Sequence, residues 1–198
     1  LDPARAQYKE VFVVVRCKYL GDTYSRAAYI WVDKDFAMAR GHLQGYPKKM
    51  SEIWMTRFVT IGKAGPRLEP GGRFGATVST WGRRIAEARF TITGPAESAG
   101  FVNSHPMLHS RQMPAIENDG RDSLDELVTM RGYDVELGPV YAGDAELVIH
   151  DNPTEELQRL APTDIIGGYY RQVGNSMKEG TTLWAAPNPH ATNGSSEQ

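Results

Sequence analysis

Apolar and β-branched residues come in short bursts along this chain, separated by glycine, proline and acidic breaks. Glu10 to Tyr19 and Ala27 to Val32 are dense in valine, isoleucine and aromatic residues, with Gly21-Asp22 as a turn signal between them, which predicts a β-hairpin. Asp33 to Arg40 has an acidic first turn and an alanine–methionine body, so a short helix ending at Gly41 is expected. Segments 52–61, 73–80, 84–93, 127–137 and 145–150 alternate or carry β-formers between breaks and are predicted as strands. Residues 94–123 hold most of the polar punctuation, including His105-Pro106 and Met113-Pro114, and predict a long loop or lid over a sheet. Leu124 to Met130 suits a strand or one helical turn. Pro153 to Leu160 suits a short helix, and Pro162-Thr163-Asp164 a turn leading into Ile165 to Val173. Pro187 onward is poor in hydrophobes and is expected to fray.

The 198 residues, 40% of them hydrophobic, suit one strand-rich domain over 1–186 with a flexible tail at 187–198. A net charge of -2, with lysines and arginines spread along the chain, argues against nucleic acid as a partner. No apolar run approaches the roughly 18 residues of a membrane span, and Leu1-Asp2-Pro3-Ala4-Arg5 does not resemble a secretory signal, so a cytoplasmic protein is expected. The chain opens without a methionine only a few residues before its first strand, and an N-terminal portion is expected to be missing. Cys17, the single cysteine, sits in a strand-like run and is expected to be a buried structural thiol.

Candidate chemistry concentrates at Gly45-Tyr46-Pro47-Lys48-Lys49-Met50. Pro47 fixes its own φ and pushes Tyr46 toward an extended conformation, while Gly45 permits geometries closed to other residues. The turn therefore holds two adjacent amines between apolar segments. A free lysine amine has a pKa of about 10.4, so a lysine nucleophile needs desolvation or a neighbouring cation to favour its neutral form. Lys48 and Lys49 thus predict a nucleophile beside an electrostatic neighbour, the equipment of Schiff-base chemistry on a carbonyl. Glu10 enters the apolar run Val11 to Val15, where a carboxylate must be solvated, paired or functional, and a site holding two amines needs such a carboxylate.

Other signals are weaker. His105 and His109 are separated by a proline and lack an acidic partner, so they are assigned as loop histidines and no metal is expected. No glycine-rich phosphate loop opens a helix. Asn193-Gly194-Ser195 matches a glycosylation acceptor by accident. Tyr29, Trp31, Trp54 and Trp81 alternate with β-formers and are assigned to core packing.

Taken together, Tyr8-x-Glu10, Asp33-x-Asp35-x-Ala37, Gly41 and Gly45-Tyr46-Pro47-Lys48-Lys49 resemble the acetoacetate decarboxylase family. Leu124-x-Glu126-Leu127-Val128, Tyr141-x-Gly143-x-Ala145-x-Leu147 and Leu160-x-Pro162-x-Asp164-Ile165-Ile166-Gly167-Gly168 are similar to its later pattern, so the resemblance runs from about Tyr8 to Trp184. A lysine activated by a second cationic group is the known feature of acetoacetate decarboxylase. The resemblance implies a β-rich α+β domain whose strongly curved sheet or barrel, with a few short helices, encloses a mostly apolar cavity. It implies that Lys48 forms the imine, that Lys49 favours the neutral amine, and that Glu10 completes the catalytic set. Tyr46, Tyr8 and His42 would meet the substrate. Two departures stand out: Gly41 is followed by His42 where the family carries Gly-Arg-Glu, and the family's N-terminal arginine has no counterpart here.

The resemblance implies decarboxylation of a β-keto acid through a Schiff base, with a small keto acid as partner, no cofactor, and a homo-oligomeric assembly. Relatives with the same lysine carry out aldol condensation and dehydration on pyruvate-like substrates, with His42 as a candidate proton donor. A non-catalytic ligand-binding homologue is the third alternative.

Overall fold

The computed structural model describes residues 7–61, 63–98, 104–117, 120–177 and 179–187. Most of the expected tail, with the Asn193-Gly194-Ser195 match, lies outside them. Strands β1 (Glu10–Tyr19) and β2 (Asp22–Val32) form the predicted antiparallel hairpin. Helix α1 (Asp35–Leu43) follows, then β3 (Lys48–Met50), β4 (Glu52–Met55), β5 (Arg73–Thr80) and β6 (Arg83–Pro95). Next come β7 (Met107–Pro114), β8 (Asp122–Met130), β9 (Tyr133–Ile149), β10 (Gly168–Ser176) and β11 (Gly180–Ala185). The expected β-rich domain with few helices is present.

The strands make two sheets. The first runs β1-β2-β7-β8-β11, with β3 also lying parallel to β2; the second runs β10-β9-β6-β5-β4. Period-two alternation gives β2 two dissimilar faces. Tyr29 and Trp31 point with Val11 and Val13 toward Ile53, Val78, Ile85 and Ile149, making the core between the sheets. Ala27, Ile30 and Val32 point the other way, beneath Ala37 and Met38 of α1. That second face walls the cavity described below. Among the described residues no helix is long and apolar enough to cross a membrane.

Several expectations are corrected. The helix starts at Asp35 because the Asp33 carboxylate accepts from the Lys9 backbone N–H and ammonium, both at 2.7 Å, which ties Asp33 to the end of β2. It runs past Gly41 to Leu43, and the true stop is Gly45, whose φ of +84° only glycine adopts readily. The lysine pair sits in strand β3, just beyond the turn. The strand expected over 52–61 ends at Met55, and the 127–137 segment is split between β8 and β9. The expected 94–123 loop contains β7 and the start of β8, and β11 carried no recognised signal. The expected helix at 153–160 is reduced to one 3₁₀ turn, Leu157–Leu160. Cys17 is half-buried.

Trp31 is fully buried, but Trp54 is 75% exposed and Trp81 86% exposed. Trp54 lies on edge strand β4. Trp81 and Gly82, with φ of +52° and +72°, form the two-residue tip joining β5 to β6, where the side chain has no facing sheet.

Candidate active site

Strand β3 pairs Lys48 with Ile30, Lys49 with Trp31 and Met50 with Val32. Because Ile30 faces the cavity and Trp31 the inter-sheet core, consecutive lysines leave β3 on opposite faces. The Lys48 side chain is only 9% exposed, and its Nζ donates to Glu10 Oε2 at 2.6 Å. Glu10 arrives at the same face from β1, opposite Val32. Lys49, 47% exposed, pairs instead with Glu155 at 2.8 Å, and its ammonium lies 5.7 Å from the Tyr29 ring centroid. The two amines thus answer to different carboxylates on different sides of the strand.

Two aromatic faces enclose the Lys48 amine. The Tyr8 ring centroid is 5.2 Å and that of Tyr46 5.6 Å from Nζ. Tyr8 packs edge-on against Phe36 of α1, with centroids 5.8 Å apart. Burial, followed by the negative charge of Glu10 and by Tyr8, pushes the Tyr46 hydroxyl up to about 12, so it remains a hydrogen-bond donor throughout the physiological range.

Tyr46 is backed by His109, whose ring centroid is 4.0 Å away at a 44° tilt. Far from being a loop residue, His109 lies in β7, is 1% exposed, and its Nε2 has no hydrogen-bond partner among the described residues. Burial, reinforced by the Arg26 charge, lowers its pKa to about 4. The same stretch of β7 seats the turn. A Cβ on Gly45 would lie 2.8 Å from the Ser110 carbonyl oxygen and 3.1 Å from His109 Cβ, and Arg111 Nε donates to the Leu43 carbonyl at 2.9 Å.

Of the sequence-predicted residues, Tyr8, Glu10, Tyr46 and Lys48 line one cavity of about 640 Å³. Lys49 and His42 stand apart from it. His42 is exposed, and its Nε2 is 2.8 Å from the backbone carbonyl oxygen of Lys48, so it braces the strand from outside. Sequence reasoning missed the opposite wall, which the second sheet supplies through Val135 and Leu137 of β9 and Arg171, Val173 and Asn175 of β10. The alternation Arg171-x-Val173-x-Asn175 was a usable signal for one face of a strand. Nothing in the sequence said which face met Lys48. His105, half-buried, and Arg131, between β8 and β9, also line the space. Among the described residues no cluster of three His, Cys, Asp or Glu side chains suits a metal ion.

A curved β framework with a half-buried lysine–glutamate pair facing a cavity defines the class of molecule. The profile of the family "Acetoacetate decarboxylase (ADC)" matches residues 2–186, and the chain belongs to this family. The enduracididine biosynthesis enzyme MppR is 33% identical with a TM-score of 0.84, over 92% of this chain and 66% of that one. It has also been solved with pyruvate, and with the condensation product of pyruvate and imidazole 4-carboxaldehyde. An acetoacetate decarboxylase-like enzyme from Sphingomonas wittichii RW1 is 26% identical with a TM-score of 0.84, covering 93% of this chain and 72% of that one. The acetoacetate decarboxylase of Legionella pneumophila shares the fold, with a TM-score of 0.75 at 17% identity, over 90% of this chain and 67% of that one. The chain thus spans about two thirds of the length of these relatives. Among curated proteins none matches it.

Proposed function

We propose that this protein forms an imine between Lys48 and a small keto acid and uses it to make or break a carbon–carbon bond. The observation that carries this is the Lys48 Nζ, inside the cavity and 2.6 Å from the Glu10 carboxylate. Glu10 takes the proton from the ammonium, and the freed amine adds to the substrate carbonyl carbon. Loss of water from the adduct leaves an iminium, with Tyr8 and Tyr46 stacked about the nitrogen.

Two reactions start from that iminium. With a pyruvate-like acid, removal of a proton from the methyl carbon gives an enamine. Its carbon attacks the carbonyl of a second molecule, and loss of water followed by hydrolysis frees the condensed product and Lys48. With a β-keto acid, the bond to the carboxylate breaks instead, the electron pair flows into the nitrogen, and carbon dioxide leaves.

Two observations favour condensation over the decarboxylation that the sequence put first. At about 30 Å³ per water in the liquid, 640 Å³ is room for roughly twenty waters, far more than a three-carbon keto acid needs. The most similar structure above, MppR, carries pyruvate and a pyruvate condensation product. On this reading the Lys49 amine does not act beside Lys48, because Glu155 holds it on the other face.

Borohydride reduction in the presence of pyruvate or acetoacetate tests the imine: the expected result is a mass adduct on Lys48. An unmodified Lys48 with every keto acid tried would overturn it. Carbon dioxide evolved from acetoacetate, against a condensed product formed from pyruvate and an aldehyde, separates the two reactions.

A further inference from the structure

The charge inside the cavity is opposite in sign to that of the whole chain. The protein carries a net charge of -2, yet the described cavity lining contains Arg40, Lys48, Arg131 and Arg171 against a single carboxylate, Glu10. Lys48 and Glu10 neutralise each other at 2.6 Å. Arg40, Arg131 and Arg171 bring three guanidinium groups to the lining. A keto acid bound at Lys48 brings one carboxylate, so cationic lining is left over even when that acid is in place. Arg171 is half-buried while Arg40 and Arg131 are exposed, so this charge attracts anions entering the cavity and is screened by salt.

The placement of these arginines follows from the fold. Arg40 projects from α1, one residue before Gly41, and its guanidinium donates to the Met177 carbonyl at 3.4 Å. Arg171 is a half-buried residue of β10, on the face it shares with Val173 and Asn175, and it is held by a contact with a neighbour in the fold. Arg131 stands where the chain passes from β8 in the first sheet to β9 in the second. Four positions apart along β10, Arg171 and Asn175 are about 13 Å from each other. A Cβ on Gly132 would approach Asn175 Nδ2 at 2.8 Å, which fixes the Arg131–Gly132 link at the Asn175 end. The wall is thus cationic toward both ends, with Val135, Leu137 and Val173 between.

We infer that the cavity takes keto acids carrying a second anionic group, a distal carboxylate, which Arg131 or Arg171 receives on the wall opposite Lys48. This rests on the imine function proposed above and adds the substrate class to it. Guanidinium groups suit the role because they stay charged and bind a carboxylate through two parallel hydrogen bonds.

The test compares molecules that differ only in that charge. The half-saturating concentration for borohydride trapping on Lys48 is measured for 2-oxoglutarate and 2-oxoadipate, each beside its ω-methyl ester. At least one diacid should half-saturate at a concentration tenfold or more below its ester, and the gap should narrow as salt is raised. Arg131→Gln or Arg171→Gln should shrink the ratio of ester to diacid, while Arg171→Lys, which keeps the charge, should retain part of it. Trapping in which neither diacid outperforms its ester overturns this inference and leaves the imine function standing. Failure to trap pyruvate or any other keto acid removes the function and the inference together.

Discussion

Gly41 and Lys48 are neighbours through a side chain that is absent: a Cβ on Gly41 would overlap the lysine stem, 2.7 Å from Cγ and 2.8 Å from Cε. Gly41 is buried within α1, so the helix lies directly on the aliphatic part of the residue whose amine meets Glu10. Gly41→Ala therefore sets two effects against each other. Alanine in a helix gains up to about 1 kcal/mol over glycine, while overpacking costs about 1–3 kcal/mol. The obstructed atoms belong to a flexible side chain, so Lys48 moves rather than the backbone. The expected outcome is a folded protein, within about 2 kcal/mol of wild type by urea denaturation, whose borohydride trapping on Lys48 is at least tenfold slower. Unaltered trapping would show that the close approach is immaterial.

Glu10→Gln keeps the shape of the carboxylate and removes its ability to accept the Lys48 proton. General-base contributions run to roughly 10²-fold or more, and imine formation should slow by that order. Single-turnover trapping with pyruvate provides the measurement. Equal rates in the two proteins would assign proton removal to water.

Lys49→Met separates the two lysines. Since Lys49 and Lys48 leave β3 on opposite faces, the pH dependence of trapping on Lys48 should be unchanged. What should change is stability, because Glu155 is 6% exposed and loses its partner. Half-exposure of the lysine moderates the loss to about 1 kcal/mol, read from denaturant midpoints. A shifted pH dependence at constant stability would restore Lys49 to an electrostatic role.

His109 makes stability depend on pH. Its folded-state pKa of about 4 lies below the ordinary 6.5, so the unfolded chain binds the proton more readily. The contribution is present above pH 6.5 and is lost as pH falls toward 4, by up to about 3 kcal/mol. Denaturation series across that window should give a shallower slope for His109→Phe than for wild type. Parallel slopes would mean that carboxylates, Asp33 among them, account for the whole acid response.

How far the sequence reached is clearest at the glycines. Gly41 and Gly45 both looked like punctuation, and composition alone could not tell the helix stop from the close-packing residue. The +84° φ at Gly45 and the Lys48 stem against Gly41 divide those roles. Similarly, Trp31 and Trp81 occupy comparable β-rich runs. Only the tip geometry at Trp81-Gly82 shows that the second tryptophan faces water.

The site was half legible. Tyr8, Glu10, Tyr46 and Lys48 lie on short stretches whose residue types declare their chemistry, and two of them, Glu10 and Lys48, sit in strands paired with β2. The placement of Arg131, Arg171 and His109 beside the site was not legible, because it depends on partners far away in the chain. His109 meets Tyr46 only because β7 is laid against the turn, within a segment expected to be a loop.

By itself the chain determined its β-rich character, its first hairpin and the grouping of lysine, glutamate and tyrosine, because local propensity and residue chemistry are written in consecutive positions. Tertiary structure alone decided which of two adjacent lysines faces a carboxylate in the cavity, since that depends on the register of β3 against β2. It also decided the positive charge of the cavity, which arises where two sheets bring together arginines distant in sequence.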